Sequence, residues 1–244
     1  MRRWLLNKHE SAQRLTVKGF LARLVVVLLA WILLYQLWIF AHICWWVSHN
    51  PTSSAFMEDR LEIIQETKPD AELKHKWVSY DQISNHLKRA VIASEDAKFI
   101  DHEGVDWEAI QAAYEKNLKK GKIVSGGSTI SQQLAKNLFL SSKRTPWRKA
   151  QELVITYMLE AVLDKRRIFE IYLNVIEWGD GVFGAEAAAK HYFKVSAAKL
   201  SKQQAARLAV MIPNPRFYDK HKKTKYLTKR TTVIQKRMNA SEIP

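Results

Sequence analysis

The chain has 244 residues, with 39 Lys and Arg against 24 Asp and Glu, a formal charge of +15 and 47% hydrophobic residues. That apolar content, with only 8 Gly and 6 Pro, excludes a disordered, collagenous or low-complexity chain and fits packed, mostly helical structure. One cysteine, Cys44, excludes an internal disulfide and a cysteine-rich zinc site.

A charge of +15 would ordinarily suggest nucleic acid, but its distribution points elsewhere. Residues 1 to 23 form a basic segment with six Lys or Arg and one acid, Glu10. Residues 24 to 47, LVVVLLAWILLYQLWIFAHICWWV, carry no Asp, Glu, Lys or Arg. At about 1.5 Å per residue this run gives roughly 36 Å of helix, enough to cross a hydrocarbon core about 30 Å thick. The apolar region of a cleaved signal peptide is about 7 to 15 residues and precedes a small-x-small site. This longer run ends in Trp45 and Trp46, which suit a membrane interface, and reads as an uncleaved transmembrane helix. The next Lys or Arg is Arg60, so the positive-inside rule predicts a cytoplasmic N-terminus with residues 48 to 244 on the other side.

Only Lys76 to Tyr80 invites a short strand. Leu87 and Val91 bring a helix up to Ser94-Glu95-Asp96. A carboxylate at a helix end beside apolar Phe99 and Ile100 suits a general acid or base, although such pairs are more often solvated surface features. His102 reads as structural, since no second histidine stands at metal spacing. Trp107, Ile110, Ala113, Tyr114 and Leu118 make a second apolar stripe.

Thr129 and Gln132 have capping-box spacing and open a helix with Ile130, Leu134 and Leu138 on one side. Gln132, Gln133, Lys136 and Asn137 fall in an arc of about 140° opposite that stripe, at roughly 100° per residue. They form either a solvated face or a surface for sugar and phosphate. The Gly126-Gly127 entry exposes backbone N–H groups that suit an anion. Thr145-Pro146 starts a long helix through Leu163. Arg144, Arg148 and Lys149 precede Glu152 at its beginning, where cations oppose the helix dipole, and an anionic ligand or chance clustering would account for them. Segments Arg167 to Leu173, Ala185 to Phe193 and Ser201 to Met211 complete a mainly α domain. Residues 215 to 244 carry +7 and read as a solvated tail or one that touches anionic headgroups.

Five segments, EDAKFIDHEG (95 to 104), GGSTISQQLAKN (126 to 137), RKAQELVITYMLE (148 to 160), IFEIYLNVIEWGDGVFGAEAAAKHYF (168 to 193) and LSKQQAARLAVMIPNP (200 to 215), resemble in order the signature blocks of the peptidoglycan glycosyltransferases. The resemblance implies a lysozyme-like glycosyltransferase domain behind one transmembrane helix. It also implies polymerisation of lipid II into peptidoglycan glycan strands, with inversion and release of undecaprenyl diphosphate. A lytic lysozyme-like glycosidase of peptidoglycan is the alternative on the same fold. The Lys-Thr-Gly box of a transpeptidase is absent, so the chain resembles the monofunctional members.

By resemblance, Glu95 is the base for the acceptor hydroxyl and Glu152 the second carboxylate, assisting at the donor directly or through a divalent ion, Mg2+ or Mn2+; no cofactor is required and no protein metal site is implied. Lys136 and Arg144 match cations that stabilise the departing diphosphate. Ser128, Gln132, Gln133, Asn137, Arg148 and Lys149 match lining residues. The segment from about Glu103 to Ser125 corresponds to the family's membrane-contacting subdomain.

The implied partners are lipid II, the growing glycan strand, membrane lipids and other proteins of cell-wall synthesis and division, with no nucleic acid. The expected organisation is a cytoplasmic segment (1 to 23), a transmembrane helix (24 to 47), a periplasmic catalytic domain (48 to 218) and a basic tail (219 to 244), in the bacterial inner membrane.

Overall fold

The computed structural model describes residues 2–122, 124, 126–141 and 145–244, with side chains from Gly19 onward. The chain forms two compact units, residues 1–44 and 45–244. The first unit is almost entirely α1 (Arg2–Trp45), a 44-residue helix that runs without interruption through the basic segment and the apolar run. Residues Gly19–Trp45 are long and apolar enough to cross a membrane, with a mean hydropathy of 2.5.

The second unit holds α2 (Ala55–Gln65), β1 (Lys74–His75), α3 (Asn85–Glu95), α4 (Trp107–Lys120), α5 (Ile130–Phe139), α6 (Pro146–Val162) and α7 (Lys165–Val175). These are followed by β2 (Glu177–Gly179), β3 (Val182–Phe183), α8 (Ala185–Phe193), α9 (Lys202–Met211), α10 (Pro215–Lys220) and α11 (Lys225–Arg237). The fold is mainly α, as the sequence periodicity predicts. Most helices open on a side-chain cap: Ser84, Asp106, Thr129, Thr145, Asp164 and Ser201 each accept a hydrogen bond from a first-turn amide. Each such cap is worth about 1 kcal/mol.

The core lies where α5 packs between α6 and α7, and where α3 packs on α9 and α9 on α11. Leu87, Val91, Leu134, Phe169, Tyr172, Leu208 and Ile234 are buried there. Each large apolar side chain so removed from water contributes about 1.5 to 3 kcal/mol. Close approach at the end of α7 requires Gly184, whose φ is +80° and where a Cβ would meet the Asn174 carbonyl oxygen at 2.7 Å.

The small sheet has the order β1-β3-β2, with β1 parallel and β2 antiparallel to β3. A register shift between Glu177 and Gly179 bulges β2 and carries Trp178 fully inside. The strand expected over residues 76 to 80 is displaced to Lys74–His75. The reason is local: Asn174 on α7 accepts from the Val78 amide and donates to the Val78 carbonyl, both at 3.0 Å, and Glu170 accepts from the Tyr80 amide at 3.1 Å. Side chains from a helix thus satisfy backbone groups that a strand would have paired.

Of the two readings of the basic C-terminal segment, a solvated tail or contact with anionic headgroups, the first is revised. Residues 225–237 form α11, which packs on α9 and α3 with Leu227, Thr231 and Ile234 buried. Lys225, Lys229, Lys236 and Arg237 are exposed, while Arg230 is half-buried and its charge favours the ionised form of Glu95.

Candidate active site

Two adjoining cavities on the second unit share Gly126 and Ser128. The smaller, about 390 Å³, is bounded by the end of α3 and the start of α4 and contains Glu95, Asp96 and Asp106. The larger, about 830 Å³, runs between α5, α6 and the turn before α10.

Glu95 is the last residue of α3 because Asp96 leaves helical geometry at φ −161° and ψ 79°. Asp96 is then committed to architecture. Its carboxylate accepts from the Ile130 amide at 2.9 Å and from His102 Nε2 at 3.0 Å, which pins the start of α5 to the end of α3. His102 is therefore structural. Phe99 is buried, with its ring centre 5.5 Å from that of Phe169.

The Glu95 carboxylate accepts from Gln133 Nε2 at 3.0 Å and from Ser94 Oγ at 3.2 Å. Tyr172 on α7 donates to Gln133 Oε1 at 3.0 Å, which turns the amide so that its N–H faces Glu95. Burial pushes the Glu95 carboxyl above its ordinary range, and the two hydrogen bonds hold that rise in check.

The capping box predicted for α5 is present: Gln132 N–H donates to Thr129 Oγ1 and Thr129 N–H to Gln132 Oε1. A Cβ on Gly127 would come within 2.8 Å of the Ile110 Cα, so the glycine lets α4 approach the entry to α5. The polar face of α5 is not a solvated one. Gln132 and Asn137 are buried, Asn137 Nδ2 donates to the Gln133 carbonyl at 2.7 Å, and Lys136 Nζ lies 5.2 Å from the centre of the Phe56 ring.

On α6, Pro146 takes the first position and Thr145 caps the Arg148 amide. Glu152, 3% exposed, accepts from Arg148 Nη1 at 2.9 Å and from Lys149 Nζ. That pairing one turn along the helix relieves the unfavourable placement of cations at its N-terminus. Arg144 falls outside the described residues.

The larger cavity brings together Ser128, Gln132, Gln133, Lys136, Asn137, Arg148, Lys149 and Glu152. It does not include Glu95, which reaches it through Gln133. Three of its lining residues are not assigned to the site from the sequence: Phe56 from α2, Glu177 from β2, although it lies in segment 168 to 193, and Arg216 from α10. Only the Ser54 cap followed by Phe56, Met57, Leu61 and Ile64 could have announced α2. Lys136, Arg148, Lys149 and Arg216 stand against Glu152 and Glu177, so the walls favour an anionic ligand.

Among the described residues no cluster of three or more His, Cys, Asp or Glu side chains is placed to hold a metal ion. Both oxygens of Glu152 accept from cations of its own helix, Arg148 and Lys149.

Comparison with known proteins agrees with this architecture. A family model described as Transglycosylase matches residues 60–239. The biosynthetic peptidoglycan transglycosylase of Methylobacillus flagellatus is 65% identical over 227 residues, covering 93% of this chain and 97% of the relative. That of Laribacter hongkongensis is 65% identical over 225 residues, covering 92% and 99%. That of Chromobacterium violaceum is 62% identical over 224 residues, covering 92% and 98%. With a matching family model across most of the chain and relatives of this identity over nearly their whole length, the chain belongs to the transglycosylase family.

Proposed function

We propose that this chain is a peptidoglycan glycosyltransferase that joins lipid II units into glycan strands. The relatives carry a biosynthetic name, and the lytic alternative is set aside. The observation that carries the mechanism is Glu95, a carboxylate of raised proton affinity, held by Gln133 beside a cavity whose charged walls favour an anion.

In this reading the acceptor sugar presents its 4-hydroxyl to Glu95. The carboxylate takes the hydroxyl proton as the oxygen attacks the anomeric carbon of the donor from the face opposite the diphosphate. The new C–O bond forms while the bond from the anomeric carbon to the phosphate oxygen breaks, and undecaprenyl diphosphate leaves with the electron pair. Inversion follows from attack opposite the leaving group.

A diphosphate leaving group needs electrostatic support more than protonation, and preorganised cations supply it without reorganisation. Lys136 and Arg144 are assigned to this task by resemblance, with Arg148 and Lys149 lining the same cavity as Lys136. Glu152 holds Arg148 and Lys149 in place. The hydrophobic helix would anchor the enzyme in the inner membrane, with its N-terminus cytoplasmic and its catalytic domain periplasmic.

The test is polymerisation of purified lipid II by the full chain with and without Glu95→Gln. Polymer from the wild type and its loss in the variant support the reading. Release of muropeptides from finished glycan, without chain growth from lipid II, would overturn it.

A further inference from the structure

The wall of the larger cavity opposite α6 carries a charged pair that the mechanism above does not use. Glu177 opens β2, and its side chain is only 10% exposed. Arg216 is the second residue of α10, after the Pro213–Pro215 turn, and its side chain is 50% exposed. Glu177 Oε2 lies 3.4 Å from Arg216 Nε, longer than the roughly 2.7 to 2.9 Å of a charge-assisted hydrogen bond. Glu177 Oε1 is buried without a hydrogen-bond partner, and the nearest cation to it, Arg60 Nε on α2, is 3.9 Å away and committed to Asp180. On the remaining elements around it, Asp219 is taken up by His191 and by the Asp180 amide, and Tyr192 by the Trp178 carbonyl.

Glu177 is thus a buried carboxylate whose side-chain partners form only loose ion pairs, with the Gly181 amide also favouring its ionised form. Arg216, for its part, faces the cavity with no ion-pair partner except Glu177 among the described residues. A guanidinium with unused N–H groups matches a phosphate or a carboxylate in a two-pronged fashion.

We propose that Arg216 binds an oxyanion of the substrate at this end of the cavity, and that Glu177 is its resident counter-ion, displaced from the guanidinium when the oxyanion arrives. This rests on the transglycosylase reading above. A lipid II substrate offers two sources of that chemistry, its diphosphate and the carboxylates of its peptide.

A consequence in pH follows. Burial raises the Glu177 carboxyl to about 7 against the pull of Arg216, Arg60 and the Gly181 amide, with Asp180 adding to the rise. Below that value Glu177 is neutral and leaves Arg216 to the ligand. Above it the ionised carboxylate competes for the guanidinium and repels the incoming anion. Neither a diphosphate diester nor a peptide carboxylate titrates between about pH 6 and 8. The KM for lipid II should therefore rise with pH across neutrality.

The experiment measures KM and kcat for lipid II between about pH 6 and 8, with full-length wild type, Arg216→Ala, Arg216→Lys and Glu177→Gln. Arg216→Ala should raise KM about tenfold, with the larger part of the effect in KM and not kcat. Arg216→Lys, which keeps the charge without the planar fork, should fall between. Glu177→Gln should lower KM at the alkaline end and flatten its pH dependence, which a merely structural role would not do.

If the Arg216→Ala effect persists on lipid II with amidated peptide carboxylates, the diphosphate is the ligand; if it vanishes there, the peptide is. A KM for Arg216→Ala within about twofold of wild type, or an unchanged KM profile in Glu177→Gln, would overturn the proposal. Should the wild type make no polymer at all, the function itself fails, and calorimetric binding of sulfate then decides this inference. Weaker binding by about fivefold in Arg216→Ala supports it, and equal binding overturns it.

Discussion

Burial raises the proton affinity of Glu95, while Gln133 and Ser94 restrain the rise by donating to the ionised form. Turnover should accordingly fall on the acid side, as the base becomes protonated. Glu95→Gln keeps the side-chain volume but cannot accept a proton, so it should lose about 10² to 10⁴ in rate, and its residual activity should lack that acid limb. The same group affects stability with the opposite sign. Because its folded-state affinity for a proton is raised, its contribution is full below the ordinary carboxylate range and is lost as pH rises through the elevated value. Glu95→Gln should then raise the thermal midpoint more at pH 8 than at pH 5, and an equal shift at both would contradict the burial argument.

Tyr172 tests the orientation of Gln133. Tyr172→Phe removes the donor that fixes the amide, so the rate should fall about tenfold, the scale of one buried hydrogen bond. The acid limb should move upward as Gln133 ceases to favour the carboxylate. Lys136→Ala should slow turnover by about 10² to 10³ if its charge supports the leaving group, and activity within a few-fold of wild type would remove it from that role. Glu95, Lys136 and Glu152 stand out in the sequence because each sits in a compact ordered segment and carries a role there by resemblance. Tyr172 and Glu177 also lie in such a segment, 168 to 193, and Arg216 just beyond one, but each acts on a residue far along the chain, and a pairing made only by the fold leaves no local spacing from which to read its role.

At the level of elements, the helices with caps and clean apolar stripes were legible, and those masked by charge were not. In α11, Leu227, Thr231 and Ile234, followed by Met238 just past its end, recur at helical spacing and are buried, yet the +7 of residues 215 to 244 dominates a compositional reading. The charge says only that one face is wet. Ile234 is fully buried in the helix that packs on α9 and α3, so Ile234→Ala should destabilise the second unit by about 2 to 5 kcal/mol in denaturant unfolding. A solvated tail would give almost no change. The strand expected at residues 76 to 80 failed for the converse reason. Val78 and Tyr80 look like strand residues, but Asn174 and Glu170 on α7 had already supplied their backbone partners.

For the whole molecule, the two units have separate physical requirements. In the first, the helix over Gly19–Trp45 leaves large apolar side chains such as Trp31, Leu33 and Leu37 exposed to surroundings that cannot be water alone. The second has its own core and its own anchorage for the residues that open it. Arg167 on α7 donates to the carbonyls of Trp46 and His49 and to the Asn50 side chain, and Trp46 packs on Phe139. Removal of residues 1–44 should therefore leave a cooperatively folding domain, whereas a deletion through Asn50 should lower its thermal midpoint because Arg167 loses these acceptors and Phe139 loses the packing of Trp46. Orientation follows from charge. Six Lys or Arg precede the apolar run and the first after it is Arg60, so the N-terminal flank should stay in the cytoplasm. Added protease should digest the second unit in spheroplasts and spare it in sealed inside-out vesicles. The reverse pattern would place the catalytic domain on the cytoplasmic face and defeat the proposed topology, even if polymerisation in detergent were intact.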